Sequence, residues 1–66
     1  MNIEKWEKAL AKRGVKKGYI ADMLDISLNT LWRKTHGLAE WSTSEVITIT
    51  KGLNLSDKER RDIFGL

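Results

Sequence analysis

The side chains of this 66-residue sequence are poorly equipped for covalent chemistry and better equipped to hold planar and anionic partners. There is no Cys and one His, His36, which leaves nothing from which to build a thiolate site or a zinc-stapled domain. No nucleophile, base and acid occur as a set, so neither an enzyme nor a metal, cofactor or small-molecule site is expected. What remains is hydrogen bonding and charge. Asn29 and Arg33 carry an amide and a guanidinium, the groups that can place two hydrogen bonds on one planar edge. Lys16 and Lys17 are adjacent, as are Arg33 and Lys34. Twelve Lys and Arg against nine Asp and Glu give a net charge of +3. Lys5, Lys8, Lys12, Arg13, Lys16 and Lys17 fall early, whereas Asp57, Glu59 and Asp62 gather near the C-terminus. A basic first half suits phosphate contact, although a solvated helix face would carry the same residues.

These groups must be positioned by one small domain spanning residues 1–66, with a modest core. Three Trp in so short a chain read first as core material, Trp6 and Trp41 in particular, together with Leu10 and Leu38. Apolar runs are too short to cross a membrane, and Met1–Leu10 is amphipathic where a signal peptide would be apolar. A soluble cytoplasmic protein is expected.

The apolar spacing predicts helices throughout. Ile3, Trp6, Ala9 and Leu10 recur at helical intervals over Asn2–Arg13, with Gly14 as a left-handed stop. A second helix runs from about Lys16 to Leu24, followed by Asp25, which tolerates the left-handed conformation. Ser27 is a good N-cap for a third helix over Leu28–Thr35, closed by Gly37. Ser42-Thr43-Ser44-Glu45 is a capping box flanked by Trp41 and Val46, and it starts a helix to about Lys51. Ser56-Asp57-Lys58-Glu59 repeats the pattern for a short fifth helix ending near Phe64. The fold class is therefore all-α, a compact bundle of five short helices.

Within it, Val15 to Gly37 forms a unit. Two helices too short to be stable alone are joined by Asp25-Ile26-Ser27. Ala21 is small enough for a steep crossing, and Leu24, Ile26 and Leu31 close the corner. That is a helix-turn-helix arrangement over about residues 16–35.

The series Ile20-Ala21, Leu24-Asp25-Ile26-Ser27, Thr30-Leu31, Arg33 and Gly37 resembles the lambda-repressor/Cro-type helix-turn-helix family. Glu40-Trp41-Ser42-Thr43-Ser44-Glu45 and Leu53-Asn54-Leu55-Ser56 also resemble its short phage Cro and repressor proteins, so the likeness covers nearly the whole chain. There are departures. Asp25 stands where the family usually has Gly, and Lys16 and Lys17 where it has Thr or Ser and then Gln. Leu10 and Thr35 stand where many members pair an Arg with a Glu. Losing both partners together avoids an orphaned buried charge.

The resemblance implies a sequence-specific transcription regulator of phage or bacterial origin that binds double-stranded DNA as a homodimer. Its reading helices would sit about 34–36 Å apart on a pseudo-palindromic operator. It also implies that Leu28, Asn29, Trp32 and Arg33 face base edges in the major groove, opposite the inward Leu31. Asn29 suits adenine, Arg33 guanine or a phosphate, and Leu28 a thymine methyl. Three placements suit Trp32: on the bases, over a sugar-phosphate strand, or folded back onto Tyr19. Phosphate contacts are expected from Lys16, Lys17 and Lys34, and from Ser42, Thr43 and Ser44, whose capping role is sufficient by itself. His36 reads as a surface residue at a helix end. Leu53, Leu55, Ile63, Phe64 and Leu66 are candidates for a dimer surface or, for most of them, core. The competing function is a protein-interaction module, such as an antirepressor, in which Leu28 and Trp32 form the binding patch.

Overall fold

The computed structural model describes residues 1–65. Five helices follow one another: α1 (Ile3–Arg13), α2 (Lys17–Leu24), α3 (Leu28–Thr35), α4 (Thr43–Gly52) and α5 (Asp57–Phe64). No strand occurs among the described residues.

Short polar side chains decide where the chain becomes helical. The Asn2 side chain accepts from the Lys5 N–H, so Asn2 precedes α1 as its cap rather than opening it. Ser27 accepts from the Thr30 N–H and starts α3. Ser42 with Glu45 and Ser56 with Glu59 form the two expected reciprocal capping boxes, with bonds of 2.9–3.1 Å. Each such cap contributes about 1 kcal/mol, a large share for so small a domain. Among these helices α2 is the exception: Lys16 lies extended before it and supplies no side-chain cap.

Three of the connections are the same turn. Gly14, Asp25 and Asn54 each take the left-handed conformation, with φ of 64°, 56° and 53°. The next residue is apolar, and its N–H returns to a carbonyl five positions back: Val15 to Leu10, Ile26 to Ala21, Leu55 to Thr50, at 2.9–3.0 Å. This is the Schellman end, which satisfies carbonyls the helix leaves open. The next residue is already the N-cap of the following helix, so the apolar residue is turned inward. Asp25 and Asn54 manage the conformation because short polar side chains tolerate it better than most.

α1 packs against α5, and α2 packs against both α3 and α4. The core between them holds Trp6, Ala9, Leu10, Ile20, Ala21, Leu31, Ile49, Leu53, Leu55 and Ile63. Ala21 is buried at the α2–α3 corner, with Leu24 and Ile26 half-buried around it. Trp41 and Phe64 are half-buried and complete an aromatic group with Trp6, ring centroids 5.5–6.5 Å apart. Leu10 and Thr35 are both buried, and the Thr35 hydroxyl donates to the Trp32 carbonyl at 2.9 Å. No described helix is long and apolar enough to cross a membrane.

Leu38 corrects an expectation. It was expected in the core but is 58% exposed. α3 also ends in a Schellman turn, with Gly37 left-handed and the Leu38 N–H on the Arg33 carbonyl at 2.8 Å. Here, however, the next helix does not start until Thr43. The longer loop lets the chain swing outward at Leu38 and return at Trp41, which takes the inward place. Of the dimer candidates, Leu53, Leu55 and Ile63 are buried as core, Phe64 belongs to the aromatic group, and Leu66 lies outside the described residues.

Candidate nucleic-acid interface

The outer face of α3 follows from what its inner face buries. Leu31 and Thr35, one turn apart, point into the core. The residues on the opposite side must then be solvent-facing, and they include all four expected to face bases. Leu28 and Trp32 are 58% and 52% exposed, and Asn29 and Arg33 are exposed beside them. Leu28, Trp32 and His36 make one row along the helix, Asn29 and Arg33 a second. Neither Asn29 nor Arg33 has an ion pair or a side-chain hydrogen bond within the described residues, so both keep their full bonding capacity for a partner. For a planar base edge that is the useful state.

Trp32 does not fold back onto Tyr19. Its ring stacks on His36 instead, with centroids 4.1 Å apart and planes inclined by 20°. His36 is thus a surface residue as expected, but it also fixes a neighbour. Its signal was the four-residue spacing, which puts two rings on one helical face.

The basic residues separate into two kinds. Lys16 and Lys17 are exposed at the start of α2, and Lys17 pairs with Glu7 of α1 at 2.7 Å. Such a pair in solvent is weak and easily exchanged for another anion. Lys34, also expected at a phosphate, is placed differently. One position on from Arg33, it points around the helix toward the start of α4, and only 13% of its side chain is exposed. Its ammonium donates to Glu45 at 3.0 Å and to the Glu40 carbonyl at 2.9 Å, and lies 5.8 Å from the Trp41 ring centre. Burial tends to raise the Glu45 pKa, but bonds from the Ser42 backbone, Lys34 and the Ser42 hydroxyl outweigh it and hold the group below its ordinary value. Lys34 therefore ties α3 to α4. Lys34→Met is expected to lower the melting temperature measurably, while leaving the salt dependence of any DNA binding unchanged; a slope reduced by about one would return it to the phosphate set.

Ser42, Thr43 and Ser44 are all exposed. The Ser42 hydroxyl and N–H are taken up by the capping box, and its oxygen also lies 3.1 Å from the Ser44 hydroxyl. A carboxylate, Glu45, already occupies this helix start, so the site is less open to a phosphate than the start of α2.

A cleft of about 190 Å³ opens between Lys17, Leu28, Leu31, Trp32, Thr35 and His36. Among the described residues, no cluster of His, Asp and Glu could hold a metal ion. No protein-family model, curated protein or solved structure matches the chain.

Proposed function

We propose that the protein is a sequence-specific DNA-binding regulator of the Cro and repressor kind. In this reading the fold is of the lambda-repressor-like type, with α2, the Asp25–Ser27 turn and α3 as its helix-turn-helix. α3 enters the major groove and Asn29 and Arg33 read base edges, with Leu28 and Trp32 beside them. The observation that carries this is the outer face of α3. Two forked hydrogen-bonding side chains stand there without partners among the described residues, on a helix anchored from behind by Leu31 and Thr35.

Lys16 and Lys17 support it. They sit at the one helix start that has no side-chain cap, where free N–H groups and the positive end of the helix favour a phosphate. Lys17→Ala is expected to weaken binding evenly across sequences and to reduce the slope of log K against log salt by about one. An unchanged slope would remove Lys17 from the interface. One domain covers a half-site, so we place two copies on a pseudo-palindrome in the cytoplasm of a bacterial or phage-infected cell.

Selection of bound duplexes from random DNA, followed by binding at several salt concentrations, tests the proposal. A defined symmetric site and steep salt dependence are expected. If no sequence is enriched, the regulator reading fails. The exposed apolar pair Leu28 and Trp32 then favours the second reading, a protein-interaction module of antirepressor type, whose binding would depend little on salt.

A further inference from the structure

The cleft beside Trp32 rests on the DNA-binding reading but goes beyond it, because its walls have a chemistry of their own. Leu28, Leu31 and the Trp32 ring make it largely apolar. The Trp32 wall is held in place. The Trp32 carbonyl can only accept, so the His36 Nδ1 lying 2.8 Å from it must carry the proton of that bond. The imidazole is thereby pinned to the backbone, with the Thr35 hydroxyl 3.1 Å from the same nitrogen. A pinned imidazole stacked at 4.1 Å removes most of the rotational freedom that an exposed Trp would otherwise have. Lys17 closes one side of the cleft with a cation.

In the major groove the apolar group offered by a base pair is the C5-methyl of thymine, since the other groups presented there are hydrogen-bond donors or acceptors. An apolar cleft on a groove-reading helix is therefore mismatched to every other base edge. The geometry points to this cleft as a reader of a pyrimidine C5-methyl, with Lys17 on a backbone phosphate nearby and His36 as the positioning residue that sets the Trp32 wall. Thymine and 5-methylcytosine are its ligands; uracil and cytosine are not.

The test uses the unmodified protein and duplexes of the selected site, in which each thymine is replaced in turn by uracil and each cytosine by 5-methylcytosine. At one position per half-site, loss of the methyl is expected to weaken binding about fourfold, the effect of one buried methyl group. Trp32→Ala should bind the two duplexes equally. His36→Ala should also lose the discrimination, whereas His36→Phe, which keeps a stacked ring, should retain most of it. Equal affinity for methylated and unmethylated bases at every position of a specifically bound site overturns the inference and leaves the regulator reading standing. Full discrimination by His36→Ala removes His36 from the positioning role. Absence of any specific DNA binding overturns both readings together.

Discussion

Replacing Arg13 by Ala is expected to lower the melting temperature by roughly 10 °C, the largest stability effect of any surface-reaching residue in the chain. Arg13 closes α1, and its guanidinium joins three separate parts of the fold. Nε donates to the Leu53 carbonyl at 2.6 Å and Nη1 to the Ala9 carbonyl at 3.2 Å. Nη2 reaches the Asn54 carbonyl at 3.3 Å. The two Nη atoms also form a forked pair with both oxygens of Glu59, at 2.8 and 2.9 Å. Glu59 in turn accepts the Ser56 N–H in the α5 capping box. One side chain therefore fastens α1, the α4–α5 turn and the start of α5. Arg13→Lys keeps the charge but not the fork, so most of the loss should remain. A melting temperature within about 2 °C of the parent in thermal denaturation of Arg13→Ala would show that the pair is incidental.

The same pair gives stability a pH signature. Hydrogen bonding to Arg13, and next to the Ser56 N–H, holds the Glu59 carboxyl at about 2, against an ordinary 4.5. The folded value lies below the unfolded one, so its contribution is complete above about pH 4.5 and is lost as pH falls toward 2. Asp62, lowered chiefly by its bond to Lys58, acts in the same direction, as does Glu45. Melting temperature should therefore fall across this acid range, and Glu59→Gln should flatten the fall. A parallel acid limb in that variant would assign the loss to other carboxylates.

Arg33→Ala carries the largest expected effect on binding. Affinity for the selected site should fall roughly five- to hundredfold, with discrimination lost at one base pair, as for the loss of a forked contact to guanine. Asn29→Ala should do the same at a different base pair. Melting temperatures should barely move, because neither side chain has a partner to lose among the described residues. The pattern of the loss is informative. A fall shared evenly by all sequences, with a lower salt slope, would assign Arg33 to a phosphate; a fall in melting temperature would show that α3 faces the other way.

Much of the architecture was legible in the sequence because its determinants are local. A Ser and a Glu three residues apart can exchange bonds with free backbone N–H groups only in a first helical turn, so Ser42 with Glu45 and Ser56 with Glu59 marked their helices by local spacing. Leu31 and the residues around it sorted into inner and outer faces of α3 by the helical repeat. The stack of Trp32 on His36 is equally local, set by a four-residue spacing, but it was not among the placements expected for Trp32.

Other features had no local sign. Arg13 read as one member of a basic cluster; that it meets Glu59 depends on α1 lying against α5, an arrangement decided by which apolar faces pack together. Arg33 and Lys34 are neighbouring cations, and nothing in their spacing says which of them is used inside the fold. Only the docking of α4 beside the end of α3 gives Lys34 a carboxylate, a carbonyl and a ring, and leaves Arg33 in solvent. Leu38 has the same left-handed, apolar pattern as Val15, Ile26 and Leu55, and differs because its loop is longer. The sequence by itself thus determined the helices, their ends and the residues on the outer face of α3, because backbone capping and helical periodicity act over three or four residues. Which charges are consumed in holding the helices together, and which remain free for a partner, was decided by the tertiary structure alone, since those contacts form between residues that only packing brings together.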